Sequence, residues 1–577
     1  MTRDRHTVLA PSAVEAPVEP LPSASPTPPT GRARLLALLR HHRRLLVPLA
    51  VAVLLLQMAV AMVTTAVEQT PTIDEPVYVG TAAVYLHEHS LRLNPEHPPL
   101  GKLIVAAGVA AAGPHFDRHF EGNQGQVGRH LLYESGNDPW RLMLWARLPV
   151  IVLTLLFGLV VFAFGSELAG ARGGLGALAL YAFSPDVVAH GSLATLDVPA
   201  AGFVLTSVWL LWRARRRPRL YLPLAGVALG AAMATKMNTL AAAPVLLLLA
   251  GVSVWHARRT TSAPRAHRKL LVRAVAGAVL VALVAVAVVW ASYLVVDPRL
   301  RWAPTAGQVP VVHGLRGQLA GLLPFPEAYR DGMRMQFGLE NAHWEGFLFG
   351  RHYEGSLWYY LPAALLVKTP LGMLALWAAG TVAFVTSHQL RPVAPYLLLP
   401  TAVLLAAAME GERNFGVRYA IFVPMFGALA AIGVLALRRR WVPFVAAGLL
   451  AFVAISSLRT FPFYLPYANE AFGGTAKTHE RLHDSNVDWG QDLGRLADRL
   501  RDRYAGQHVW LVYKGSGVPS YYGIHASDPR RQPERKVRGL LVVSDSSIAK
   551  ATGRLAVLIH TSHEVDEVGH SITIFRR

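Results

Sequence analysis

Long apolar runs joined by short basic connections dominate the chain, and in three places that pattern gives way to long mixed segments. A helix needs roughly 20 apolar residues to cross about 30 Å of hydrocarbon. Eleven stretches approach that length: 45–67, 142–165, 173–190, 198–212, 220–236, 239–255, 271–296, 357–385, 393–410, 418–437 and 441–458. The run from Pro99 to Gly113 is apolar and helical in pattern, but at about fourteen residues it is too short to span. Pro98 and Pro99 suit a first helical turn, and the run is expected to lie in the outer interface. The predicted fold class is an all-α polytopic membrane protein of about eleven transmembrane helices with a small C-terminal α/β domain.

The mixed segments are 68–140, 297–356 and the tail 459–577. In the tail, Leu493, Leu496 and Leu500 recur at helical spacing. "VWLVYKG", "GLLVVSD" and "LAVLIHT" read as short strands. Residues 1–31 hold seven Pro between Pro11 and Pro29, a composition that cannot build a core and reads as a disordered cytoplasmic tail. No charged start leads directly into a short apolar core, so the first span is expected to serve as an uncleaved signal. The domain plan is therefore 1–31 tail, 32–458 membrane domain and 459–577 extracytoplasmic α/β domain.

The 577 residues are 53% hydrophobic and 16% charged, with a net charge of +20. A nucleic-acid binder would gather that charge on one soluble face. Here it sits in clusters between apolar runs: Arg32, Arg34, Arg40, Arg43 and Arg44; Arg213, Arg215, Arg216, Arg217 and Arg219; Arg258, Arg259, Arg265, Arg268, Lys269 and Arg273; and Arg438, Arg439 and Arg440. With eleven spans all four clusters fall on one side, which the positive-inside rule makes cytoplasmic. The three mixed segments then face outward, where the chemistry is expected. The chain has no Cys, so disulfides and thiolate metal sites are excluded. There is no phosphate-binding G-x-x-x-x-G-K-[ST] and no His/Asp/Glu set with closed metal-ligand spacing. A divalent ion held by outer carboxylates stays open as a cofactor.

"TIDEPVYVG" places Asp74 and Glu75 just beyond the first span, and "NPEHPPLGK" adds Glu96, His97 and Lys102 to the same loop. Such acids are often merely solvated. In this company a carboxylate can take the proton of a hydroxyl, and a His and a Lys can hold an anionic leaving group. Together they suggest group transfer from a phosphorylated lipid. Asp197 opens the fourth span, either as a helix N-terminal charge, favourable by roughly 0.3–1 kcal/mol, or facing the same cavity as Asp74. A Lys at the bilayer centre costs on the order of 2.5–3.5 kcal/mol. Lys236 is expected to snorkel outward, and Lys368, beside Pro370 in "LLVKTPLGM", to sit near headgroup level. Arg413 and Arg418 in "GERNFGVRYAIFVP" lie on the outer side against the basic bias. They read as a bidentate match for phosphate or as interfacial anchors. Trp358, Tyr359 and Tyr360 read as aromatic-belt residues, and Asp488 as a charge near a helix N-terminus.

An Asp-Glu pair at the start of the first outer loop, followed by "HPPLGK", "TLDVP", "LLVKTPLG" and "RYAIFVP" in that order, resembles the GT-C superfamily of membrane glycosyltransferases. By motif it is similar to the protein O-mannosyltransferase family and to the aminoarabinose transferase family of lipid A, over roughly residues 45–460. The resemblance implies a donor sugar on polyprenyl monophosphate and inversion at the anomeric carbon. It also implies Asp74 as the catalytic base. The substrate-contact candidates beside it are Glu75, Glu96, His97, Lys102, Asp197, Lys368, Arg413 and Arg418. The O-mannosyltransferase pattern has an Asp two residues before the His, where this chain has Pro95, and no segment resembles the β-trefoil insert of the eukaryotic enzymes. Sugar and acceptor therefore stay open. The expected protein is an inverting glycosyltransferase at the outer face of a bacterial plasma membrane. Its partners are a lipid bilayer, a polyprenyl-phosphate-linked sugar and a hydroxyl acceptor on protein, lipid or cell-wall glycan, with no nucleic acid. The alternative, a transporter or flippase, predicts internal repeats with paired broken helices and small loops; the long outer segments and the lack of an obvious repeat run against it.

Overall fold

A computed structural model describes residues 31–257, 264–304, 307–437 and 439–577. The Pro-rich tail 1–30 and Arg258, Arg259 and Arg438 of the basic clusters lie outside the described residues, as do the side chains of Arg32, Arg34, Arg40, Arg43, Arg44 and Arg265. Residues up to Leu49 form one unit, which holds the start of the first helix; Ala50–Arg577 form the second, which holds everything below.

The first half runs α1 (Gly31–Glu68), α2 (Glu75–Glu88), α3 (Pro99–Ala112), α4 (Gln124–Tyr133), α5 (Pro139–Ala182), α6 (Pro185–Gly191), α7 (Asp197–Ala214), α8 (Pro218–Thr235), α9 (Ala243–Ala257) and α10 (Pro264–Val296). The second outer segment holds α11 (Gly314–Leu322), α12 (Glu327–Glu340) and the hairpin β1 (Glu345–Leu348) and β2 (Arg351–Glu354). Then come α13 (Tyr360–Lys368), α14 (Leu371–Thr386), α15 (Ala394–Met409), α16 (Phe422–Ala431) and α17 (Val442–Thr460).

Helices stand at each of the eleven expected stretches. Among the described residues, five are long and apolar enough to cross a membrane: Leu45–Glu68, α5, Met237–Ala257, His267–Val296 and α17. The pair α13 and α14, bent by 120°, would make a sixth. Pro370 lies at that bend, where it disfavours helix in the residue before it. The remaining stretches are helical but shorter or less apolar, so the count of eleven spans is not reproduced by length and composition. The expected stretch 142–165 and the first part of 173–190 are joined in α5 across a break at Ala169 and Gly170, the remainder forming α6, and Gly170 takes a left-handed φ of 67° that only glycine adopts without strain.

The run Pro99–Gly113 forms α3, which packs on α2 and α5. Helix α4 crosses α2 so closely that a Cβ at Gly128 would lie 2.1 Å from the Pro76 carbonyl oxygen. This contact fixes the first turn of α2, next to the acidic pair.

The tail folds as α18 (Leu493–Arg503), β3 (Val509–Val512), β4 (Ala526–Ser527), β5 (Leu540–Ser544), α19 (Asp545–Ala549), α20 (Gly553–His560), β6 (His563–Val568) and β7 (Ile572–Arg576). The sheet order is β4-β3-β5-β7-β6, with β3 parallel to β4 and β5 and the other pairs antiparallel. Central β5 is buried along its whole length, as a continuous apolar run requires. The predicted helix and the first two predicted strands are present. "LAVLIHT" is instead in α20: Leu555, Leu558 and Ile559 share one helical face and pack with Trp510, Leu541 and Phe575. The hairpin β6–β7 was hidden by its charged edge, HEVDEV, a pattern that protects edge strands. Asp488 is not at a helix start. It is buried and accepts from the Gly490 N–H at 3.1 Å, five residues before α18.

Candidate active site

The acidic pair at the start of α2 divides its duties. Asp74 occupies the N-cap position but makes no side-chain cap hydrogen bond, although capping is the usual role of Asp there. Its carboxylate instead pairs with Arg418, Nη1 to Oδ2 at 2.6 Å. Glu75 points the other way, into the core, and is fully buried. It accepts from Arg147 Nε at 2.8 Å and Nη2 at 2.7 Å, from the Thr72 N–H and hydroxyl, and from the Ala194 N–H. Arg147 also donates to the carbonyls of Ala66, Gln69 and Thr70. Burial would raise the Glu75 carboxyl, but Arg147 and these hydrogen bonds hold it below its ordinary value. The expectation of Glu75 as a substrate contact is therefore corrected: it ties α1, α2, α5 and the loop before α7 together and so fixes Asp74.

Asp74 opens onto a cavity of about 960 Å³. Four ion pairs stand in its wall. Besides Asp74–Arg418 they are Asp197–Lys236 at 2.5 Å, Glu340–Arg413 at 2.8 Å, and Asp484–Lys514. Lys236 does not snorkel outward. It is buried against Asp197, with its ammonium 5.3 Å from the Tyr419 ring centre. Arg418 stacks on Trp489 at 4.3 Å and on Tyr419 at 5.0 Å, and its buried Nε has no partner among the described residues. Arg413 also donates to Gln336 at 2.7 Å.

Glu96 and His97 line the same cavity. Glu96 accepts from Gln124 at 2.8 Å. The His97 ring meets Tyr78 edge-on at 6.0 Å, and its Nδ1 is buried without a partner among the described residues. Burial, reinforced by the charges of Lys236, Lys102, Arg413 and Arg418, holds His97 well below its ordinary value. Its imidazole is therefore neutral at neutral pH and offers one N–H donor and one acceptor nitrogen. The lining also includes the apolar side chains of Val204, Leu240, Leu404, Ala407 and Phe422.

Lys102 and Lys368 do not line the cavity. The Lys102 ammonium is buried and donates to the carbonyls of Asn94 and His97, both at 2.7 Å, shaping the turn that carries Glu96 and His97. The Lys368 ammonium donates to the carbonyls of Leu465 at 2.5 Å and Asn486 at 3.0 Å and faces Asp186 at 3.4 Å. A buried ammonium needs such acceptors, and here the chain itself supplies them. Tyr360 is likewise no belt residue: it is buried and accepts from Asn486 at 2.9 Å, whereas Trp358 and Tyr359 are exposed.

The tail contributes Asp484, Trp489, Lys514 and Lys550 to the cavity wall. Sequence reasoning assigned none of these; the dense run "DSNVDWGQDL" was a signal for Asp484 and Trp489, and nothing local marks Lys514 or Lys550. Arg147 was also missed, inside a run that read as a plain span. Among the described residues no group of three or more His, Asp or Glu side chains is placed to hold a metal ion.

Comparison with known proteins gives one family match and several distant structural likenesses. A family model described as dolichyl-phosphate-mannose-protein mannosyltransferase matches residues 51–296. A search of the curated proteins found no match. Among solved structures, ArnT from Cupriavidus metallidurans in the apo state is 14% identical with a TM-score of 0.47, covering 92% of this chain and 97% of that one. The Saccharomyces cerevisiae Pmt1-Pmt2 complex bound to the sugar donor is 21% identical with a TM-score of 0.34, covering 44% and 33%. The oligosaccharyltransferase AglB from Archaeoglobus fulgidus is 13% identical with a TM-score of 0.41, covering 79% and 58%. The family match covers less than half of the chain, and over that stretch it agrees with the resemblance read from the motifs.

Proposed function

We propose that the chain is an inverting glycosyltransferase that works at the outer face of a bacterial plasma membrane. The lipid carrier enters along the apolar part of the lining, and its phosphate lies among Arg418, Arg413 and Lys236. The acceptor hydroxyl oxygen attacks the anomeric carbon. The bond from that carbon to the phosphate oxygen breaks, its electron pair leaves with the polyprenyl phosphate, and the hydroxyl proton passes to Asp74. A single displacement inverts the anomeric configuration. Neutral His97 and Glu96 orient hydroxyl groups of the bound sugar, and Asp197 holds Lys236 toward the phosphate.

The observation that carries this reading is Asp74 itself. Its carboxylate does not cap its own helix and meets Arg418 in the wall of a large half-apolar cavity. In that ion pair the Asp74 carboxylate is engaged by Arg418. A donor phosphate that draws Arg418 toward itself weakens the pair and frees the carboxylate for the acceptor, so the base is active only when the leaving group is in place. Preorganised cations facing the developing phosphate charge supply most of the remaining rate gain. The four basic clusters, assigned to the cytoplasm by the positive-inside rule, support the outward orientation. The test is incubation of purified protein with labelled polyprenyl-phosphate sugars and a hydroxyl acceptor. Released polyprenyl phosphate and a product of opposite anomeric configuration, read by NMR, are expected; a product of retained configuration would overturn the mechanism.

A further inference from the structure

Besides the exposed Arg316, two groups of positive charge line the cavity. Lys236, Arg413 and Arg418 cluster around His97 and serve the donor phosphate in the reading above. Lys514 and Lys550 belong to the tail, line the cavity together and lie within electrostatic reach of one another and of Asp484. Asp484 is bonded to Lys514 and is within electrostatic reach of both Arg418 and Lys550. A line of charge thus runs from Asp74 through Arg418, Asp484 and Lys514 to Lys550.

Lys550 is the member of that line without a match. Among the described residues its half-buried ammonium has no hydrogen bond and no ion pair; the Phe415 ring lies 5.4 Å away. Of the carboxylates that reach it, Asp484 is engaged by Lys514, and Glu345 stands 3.7 Å from His352. Burial and the neighbouring Lys514 charge both disfavour the protonated Lys550. A partly desolvated ammonium beside a second one is relieved by a bound anion, through a charge-assisted hydrogen bond.

We propose that Lys550, with Lys514 beside it, forms an anion subsite for the acceptor, so that the attacking hydroxyl belongs to a molecule that also carries a phosphate or a carboxylate. This rests on the glycosyltransferase reading and adds the acceptor's class to it. The tail then acts as the acceptor-selecting wall of the active site, with Asp484 within electrostatic reach of both the anion subsite and Arg418.

The test uses the full chain saturated with polyprenyl phosphate, which fills the donor's phosphate subsite. Thermal midpoints are followed on titration with glycerol, glycerol 3-phosphate and glycerate; the last two separate a phosphate from a carboxylate. At least one anion should raise the midpoint while glycerol does not. Lys550→Gln should weaken that anion's binding about tenfold, which is about 1.4 kcal/mol, and Lys550→Arg should keep it. No shift with either anion, or an equal shift in Lys550→Gln, overturns the subsite. Release of polyprenyl phosphate from a labelled donor by the unmodified chain is measured separately. Its failure overturns the glycosyltransferase reading and the acceptor assignment with it, whereas anion-blind binding overturns the subsite alone.

Discussion

Arg418 reaches across 344 positions of sequence to hold Asp74 at 2.6 Å. That one contact joins the first outer loop to the turn into α16, and Trp489 from the tail stacks on the same guanidinium. Three distant parts of the chain thus meet at the carboxylate proposed to start the reaction.

Removing that carboxylate's charge should stop the chemistry and spare the fold. Asp74→Asn keeps an oxygen for Arg418, so folded yield in detergent should be retained. Sugar transfer should fall by about 10²–10⁴-fold, the usual contribution of a general base. Turnover near the original rate, measured with labelled donor, removes Asp74 from the role.

Glu75→Gln should do the reverse in kind. It leaves Arg147 buried without a counter-charge, a loss that costs about 3–5 kcal/mol. Folded yield and thermal midpoint should both drop sharply, with activity falling only in proportion to folded protein. A Glu75→Gln protein that is stable but inactive would return Glu75 to the list of substrate contacts.

Gly128→Ala tests how α2 is positioned. A methyl group there would collide with the Pro76 carbonyl, and forcing extra volume into a packed contact typically costs about 1–3 kcal/mol. The protein should lose stability, and the folded fraction should transfer sugar more slowly because Asp74 is displaced. Unchanged kcat in the folded fraction would mean that the α2–α4 crossing does not set the base.

Stability should depend on pH through the tail. Burial pushes the Asp488 and Asp545 carboxyls up to about 7 from an ordinary 3.8. Between those values the folded chain keeps protons that the unfolded chain has released. The stability they contribute is therefore full below about pH 4, declines as pH rises toward 7 and is level above it. Asp484 acts oppositely: although burial opposes it, Lys514 leads the interactions that hold it at about 2, so its contribution is lost only as pH falls from 3.8 toward 2. Asp545→Asn should flatten the decline in thermal midpoint between about pH 4 and 7. An unaltered slope would show that Asp545 does not keep its proton in the fold.

Much of the site was legible before any coordinates. Asp74, Glu96, His97, Asp197, Arg413 and Arg418 all line the cavity, and each stood out as a polar residue set among apolar or loop sequence. Glu75, Lys102 and Lys368 stood out for the same reason and are not there. A lone charge in an apolar context must be satisfied, and sequence does not say whether a ligand or the chain's own carbonyls and arginine will do it. Arg147 illustrates the converse: it vanished into an apolar run because its partner lies 72 residues away.

The sequence by itself determined the class of fold, because apolar run length and basic clustering respond to the bilayer, which acts on every segment locally. It also determined α18 and the central strands β3 and β5 of the tail, whose periodicities are local too. Only the tertiary structure decided which way each member of the Asp74–Glu75 pair points. It alone brought the tail's Asp484, Trp489, Lys514 and Lys550 into the wall of the membrane cavity. Adjacent side chains on a helix differ by about 100° in direction, so their fates depend on what distant segments place on each side, and no local pattern carries that information.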